Sequence, residues 1–179
     1  MLQQNFYPGK AIQVWNNNDG GTSKQDDADI PNPSYLVEEL SGTTTGLGNA
    51  VLVDATATFQ DDLAANKFAI GDTVYQPDTY KHSRIVSVDS QTQLTVFNAT
   101  FFPAVFAATA YQIYRKSPYG CILLIDNLVA KDPLEVTDLN NNVHVLTQGE
   151  AAIKVLPFQV RKLVHGKTDG KGTIFALFQ

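Results

Sequence analysis

Arg84-Ile85-Val86-Ser87-Val88-Asp89-Ser90-Gln91-Thr92-Gln93-Leu94-Thr95-Val96-Phe97 carries the clearest strand signal in the chain. Apart from Ile85, apolar and polar residues alternate on both sides of its centre. That is the period of a strand with one buried face. Asp89-Ser90-Gln91-Thr92 supplies turn chemistry between the two arms. The stretch therefore predicts a β-hairpin.

The same signals recur outward from it. Toward the N-terminus, residues 73–75 follow the turn pair Gly71-Asp72, and residues 50–54 place Val51 and Val53 on one face. Asp61-Asp62-Leu63-Ala64-Ala65-Asn66 is the one plausible helical turn, too short to form alone. Toward the C-terminus, Phe101-Phe102-Pro103 reads as an apolar bend, and residues 110–115 alternate again. The unbroken apolar run Cys121-Ile122-Leu123-Leu124-Ile125 predicts a fully buried strand. Further strands are predicted at residues 134–138, 143–146, 152–155, 158–164 and 173–178, with turns at Asn140-Asn141-Asn142 and residues 166–172. Many short strands separated by turn residues predict an all-β chain of sandwich or barrel type.

Residues 1–40 carry few regular signals. A short strand is predicted at residues 11–15, a loop at Asn16-Asn17-Asn18-Asp19-Gly20-Gly21, and another strand at residues 35–40. Between them, Asp26-Asp27-Ala28-Asp29 leads into Ile30-Pro31-Asn32-Pro33, which is expected to be extended because each proline biases its predecessor away from helix. The segment reads as an arm that docks on the rest of the chain or on a partner. Ser41-Gly42-Thr43-Thr44-Thr45-Gly46-Leu47-Gly48 is a shift in composition and a predicted junction. Residues 41–115 then read as one small β-barrel, and residues 116–179 as a second β set.

With 179 residues, the chain is long enough to bury a core without a disulfide or metal. Its charged fraction of 17% is low, as suits a β-rich chain that buries surface against neighbours. The net charge is -5 and no stretch is densely basic, which argues against nucleic acid and anionic membranes as partners. No signal peptide is read at the start, and no apolar run is long enough to span a bilayer as a helix.

Two sets of residues resemble known modules. The first is Leu123-Leu124-Ile125-Asp126, then Leu134-Glu135-Val136-Thr137-Asp138, then Val155-Leu156-Pro157-Phe158-Gln159-Val160-Arg161-Lys162-Leu163, then Gly172-Thr173-Ile174-Phe175-Ala176-Leu177. This order resembles a small β module of tailed-phage structural proteins and of the head-spike base protein of gene transfer agents. The acidic, proline-bearing segment at residues 26–33 is similar to the start of that family. The second set runs from Val51-Leu52-Val53-Asp54 through Ile70-Gly71-Asp72-Thr73-Val74-Tyr75 and the hairpin to Ala110-Tyr111-Gln112-Ile113-Tyr114. It resembles an insert module of phage virion proteins. Together the resemblances imply a small β-sandwich or barrel module with residues 41–115 inserted. Residues 1–40 would supply the arm and first strands of the discontinuous module, and residues 116–179 the remainder. Glu150-Ala151-Ala152 departs from the family's glycine-rich approach to the proline.

Residues that could carry chemistry are sparse. His82, His144 and His165 are scattered, with no metal-ligand spacing. Cys121, alone and in an apolar run, reads as a buried inert thiol. Gly166-Lys167-Thr168 has the ending of a P-loop, but Arg161 stands where the earlier glycine belongs. Asp26, Asp27 and Asp29 lack the spacing of a calcium loop. Asp54, Asp61, Asp62 and Asp72 are the acids from which a glycosidase pair would be drawn, and nothing in their spacing promotes one. No catalytic residue, cofactor or metal is expected.

The aromatic residues Phe101, Phe102, Phe106, Tyr111 and Tyr114 read first as a barrel core and second as a contact surface. Trp15, Tyr35, Phe101 and Phe102 are the candidate partner-binding residues. The resemblance implies a non-enzymatic virion protein, made in the host cytoplasm, that binds the major capsid protein or other virion proteins and self-associates or not. Capsid decoration, cement or vertex-spike base comes first. A neck, baseplate or tail-fibre-attachment subunit is the alternative within the particle. An adhesin module stacking sugars on Trp15, Tyr75, Tyr80 or Tyr119 is the alternative outside that class.

Overall fold

Alternation in the sequence becomes antiparallel pairing in the structure. A computed structural model describes residues 10–16, 29–46, 48–102, 108–116, 120–129, 134–146, 154–156, 158–164 and 171–178. Its strands are β1 (Lys10–Asn16), β2 (Leu36–Thr43), β3 (Val51–Val53), β4 (Thr73–Gln76), β5 (Lys81–Ser90), β6 (Gln93–Val96), β7 (Ala110–Tyr114), β8 (Ile122–Val129), β9 (Leu134–Asp138), β10 (Val143–Leu146), β11 (Lys154–Val155), β12 (Val160–Val164) and β13 (Lys171–Phe178). One helix, α1 (Phe59–Ala64), stands among the described residues. The fold is all-β, and the described residues form two separate cores.

The first core lies between two sheets. One has the order β1-β13-β8-β11 and the other β10-β9-β12. Val14, Leu123, Ile125, Ile174, Ala176 and Phe178 from the first sheet meet Val136, Val160 and Leu163 from the second. Inward residues from two facing sheets make this a small β-sandwich. The long-range pairing of β1 with β13 joins the two ends of the chain in one sheet. On β8 the apolar run does not bury evenly. Leu123 and Ile125 are buried, whereas Ile122 and Leu124 are only half-buried. The expectation of a fully buried strand is corrected accordingly: only one face of the run meets the core.

The second core lies inside a six-stranded sheet of order β2-β7-β4-β5-β6-β3. β5 is long because it serves two partners. Its first half, through Arg84, pairs with β4, and from Ile85 its second half pairs with β6 across a bulge at Val86. Such a bend curls the sheet. Thr45, just past β2, donates its N–H to the Val53 carbonyl of β3 at 2.7 Å, so the two edges of the sheet approach each other. Leu52, Phe59, Phe68, Val74, Ile85 and Leu94 are among the residues that fill the roll.

The junction predicted at residues 41–48 is displaced. The six-stranded sheet already includes Leu36, paired with Tyr114. Gly42 lies inside β2, and a Cβ there would meet Asp54 Oδ2 at 2.5 Å and the Tyr111 hydroxyl at 2.9 Å. This glycine permits close approach rather than a turn. The chain instead changes direction at a 3-10 turn, Pro33–Tyr35, capped by the Asn32 side chain, which accepts from the Ser34 N–H at 2.9 Å. The helical turn begins at Phe59, earlier than expected. Gln91 of the β5–β6 turn explains the shift. Its side-chain oxygen accepts from the N–H groups of Gln60 and Asp61, and its amide donates to Asp61 Oδ1 at 2.8 Å. It satisfies N-terminal N–H groups that have no partner within the helix.

Phe106, Tyr119, His165, the loop at residues 17–21, the acids Asp26 and Asp27, and Gly166-Lys167-Thr168 lie outside the described residues.

Candidate interaction surfaces

The four residues expected to bind a partner fall in different settings. Phe101 and Phe102 are buried in the core of the roll, with ring centroids 4.8 Å apart in edge contact. Of the two readings of this aromatic pair, the structure places both rings in the core. Their backbone is held as well: the Phe101 carbonyl accepts from Gln76 Nε2 at 2.9 Å, and the Phe102 N–H donates to the Asn49 carbonyl at 2.8 Å. Tyr35 ends the 3-10 turn, half-buried, and its carbonyl accepts from the Arg115 N–H at 2.9 Å. Trp15 lies in β1 opposite Ile174, and its side chain lies outside the described residues. Of the residues named for sugar stacking, Tyr75 is buried in edge contact with Tyr114 and offers no open ring face.

The surface that sequence reading missed is on β10. Among the described residues this strand has a neighbour, β9, on one side only and forms an edge of its sheet. Its alternation is inverted. His144 turns toward Asp138 and Phe158, while Val143 and Val145 face outward, 58% and 53% exposed. The hairpin is pinned so that this orientation holds. The Asp138 carboxylate accepts from the Asn140 and Asn142 N–H groups at 2.8 and 2.9 Å, and from the Asn142 amide at 3.0 Å. His144 Nε2 lies 2.9 Å from the same carboxylate. The His144 hydrogen bond, followed by those of Asn142, holds the Asp138 carboxyl well below the usual range. The four residues of β10 include no Asp, Glu, Lys, Arg or Pro. Edge strands that stay solvated are commonly protected by such residues.

A second apolar surface lies on the roll. Ile70, Val86 and Phe97 are each about half exposed, and the Arg84 guanidinium sits 3.9 Å from the centre of the Phe97 ring. Val86 faces outward where β5 changes partner. Aromatic residues and Arg are the types enriched in interface cores.

Of the four carboxylates weighed for catalysis, two share a pocket and two do not. Asp54 and Asp62 line one pocket of about 100 Å³ together with Glu39, Ser41, Thr58 and Tyr111. Their oxygens are engaged by the chain itself. Asp54 Oδ1 accepts from the Thr56 N–H and hydroxyl at 2.9 and 2.7 Å, and Oδ2 accepts from the Tyr111 hydroxyl at 2.7 Å. Asp62 accepts from the Thr58 hydroxyl at 3.0 Å and pairs with Lys67 at 3.0 Å, which also reaches Glu39 at 2.8 Å. Burial pushes the Asp54 carboxyl up, but the bonds from Thr56 and Tyr111 outweigh it, and the group ends below its ordinary value. Burial and the Asp54 charge raise the Tyr111 hydroxyl. Asp61 is held by Gln91, and Asp72 lies apart, accepting from the Ala69 and Lys116 N–H groups at 2.7 and 2.8 Å. These carboxylates read as staples of the roll.

Cys121 is buried, its thiol bonded to the Val160 carbonyl at 3.3 Å and pushed up by burial. Among the described residues no group of three or more His, Cys, Asp or Glu stands together as a metal cage. No family model, no curated protein and no solved structure matches this chain.

Proposed function

We propose that the chain is a non-enzymatic structural subunit of a tailed-phage particle, seated on the capsid exterior as a decoration, cement or vertex-spike base protein. The observation that carries this reading is β10: a sheet edge without a second partner strand among the described residues, which turns two valines outward and a histidine inward. Burying both valines against a neighbour is worth about 1.5 kcal/mol or more per side chain when burial is complete. The open edge adds backbone hydrogen bonds if a partner strand joins it. Engaged carboxylates in the roll support a scaffold role over a hydrolytic one. The order of strands and turn residues that resembles phage virion modules supports the particle.

Binding would be multivalent, since many copies meet a repeating lattice, and it would stabilise the particle by mass action. Co-sedimentation of the purified chain with capsids assembled without it tests the role. Saturable binding at ordered positions, seen by electron microscopy, is the expected result and separates capsid faces from vertices. Binding only at the neck, baseplate or fibre attachment would move the subunit within the particle. Absence of binding to any part of the particle would overturn the proposal.

A further inference from the structure

The chain passes between the sandwich and the roll twice, and the two crossings are tied together. Residues 29–36 form the incoming crossing, and the chain leaves the roll after Tyr114 through Arg115 and Lys116. The Arg115 N–H donates to the Tyr35 carbonyl at 2.9 Å, which sets the two crossings side by side. Two crossings that share one line are the geometry of a hinge, and their backbone alone permits rotation about that line.

Polar groups oppose such rotation. Asp29 is buried and sits where three elements meet. Its carboxylate faces Arg161 Nε of β12 at 3.6 Å and Lys116 Nζ of the outgoing crossing at 4.0 Å. Its carbonyl accepts from the Thr73 hydroxyl of β4 at 3.2 Å. The adjoining Ile30 N–H donates to the Arg161 carbonyl at 2.7 Å, so the incoming crossing is stitched to the sandwich. A second tie lies on the other side of β4. The Tyr75 hydroxyl donates to the Gln13 carbonyl of β1 at 2.8 Å. Burial raises the Tyr75 hydroxyl, so it remains a donor across ordinary pH. Thr73 and Tyr75 share one face of β4, two residues apart, and both reach across to the sandwich side. The hydrophobic clusters of the two units are separate, and the hydrogen bonds and ion pairs described above run between them.

We propose that Thr73 and Tyr75, reaching to the Asp29 and Gln13 carbonyls, form with the Asp29–Arg161–Lys116 cluster a polar latch that fixes the angle between the sandwich and the roll across a two-strand hinge. The latch is built from two hydroxyls, a carboxylate and two basic side chains, and its partners lie on both units. It stands independently of the proposed place in a particle. Its consequence there is that the β10 edge and the Phe97 surface, which lie on different units, are held at one spacing.

Spin labels on Ala65→Cys in the roll and Gln159→Cys in the sandwich, both exposed positions, read that angle in the full chain with Cys121→Ala. The latched chain gives one narrow distance distribution. Thr73→Val with Tyr75→Phe removes both roll-side hydroxyls at nearly constant volume. It is expected to broaden the distribution or split it in two, while each unit keeps its strand content by circular dichroism. Asp29→Asn, which removes the charge and keeps the shape, is expected to broaden it as well. An unchanged narrow distribution in the Thr73→Val/Tyr75→Phe chain would overturn the latch. If that chain does not fold, the Asp29→Asn chain decides in the same way.

Discussion

Replacing Tyr111 by Phe removes one atom from the middle of the roll. The lost hydroxyl donates at 2.7 Å to Asp54 Oδ2, and both residues are almost fully buried. The ring remains in place against Phe59, 6.3 Å away, so no cavity opens. What is lost is a hydrogen bond to a buried charge, worth about 1.5–3 kcal/mol. For a chain of this size that is a fall of about 3–12 °C in Tm. The pH dependence has a definite sign. The Asp54 carboxyl lies below its ordinary value of 3.8 in the folded chain. Its contribution is therefore present above pH 3.8 and is lost as the pH falls through the folded value. Tyr111→Phe removes one of the bonds that hold the carboxyl down and leaves burial to push it up. Stability at neutral pH drops, and the part lost below pH 3.8 shrinks. Thermal and urea melts at pH 7 and pH 3, run as a double-mutant cycle with Asp54→Asn, measure both effects. A Tyr111→Phe loss under about 0.5 kcal/mol, or strict additivity with Asp54→Asn, would show that the hydroxyl does not stabilise the Asp54 charge.

Three further outcomes follow from the packing. Phe101→Ala is expected to cost about 3–5 kcal/mol in urea melts, because the ring is buried against Phe102 in the roll's core. Gln91→Ala is expected to cost about 1 kcal/mol, by loss of a capping group for α1, with the largest rise in amide exchange at Gln60 and Asp61. Cys121 is expected to resist thiol reagents in the folded chain and to react fully in denaturant, since the thiol is buried and pushed toward its neutral form.

Much of the fold was legible because strands announce themselves locally. The hairpin of β5 and β6, the alternation of β7 and the turn at Asn140-Asn141-Asn142 all follow from neighbouring residues. Sheet order was not legible in the same way. Nothing near Lys10 or Lys171 indicates that β1 pairs with β13, because that pairing is decided by the fit of distant faces. The displaced junction has the same cause. Gly42 carries turn composition, yet its role is to admit Tyr111 and Asp54 at close range.

The candidate surfaces were less legible than the fold. Phe101 and Phe102 are equally suited to a core and to an interface, and only the three-dimensional packing separates the two. In β10 the period-2 pattern was visible, but its sense was not. Val143 and Val145 would ordinarily be assigned inward, and it is the Asp138–His144 pair that turns them out. The absence of any charged residue in β10 was the available signal, and it gains meaning only once the strand is known to be an edge.

The most direct test of the account is co-sedimentation of two chains with capsids assembled without this protein: the natural one, and one carrying Val143→Glu with Val145→Glu. Both valines are more than half exposed, so the substitutions leave the sandwich core intact. Docking through β10 requires saturable binding of the natural chain and a loss of at least tenfold in affinity for the variant. Equal binding by a folded variant would contradict docking through β10, and no binding by the natural chain would contradict the structural role itself.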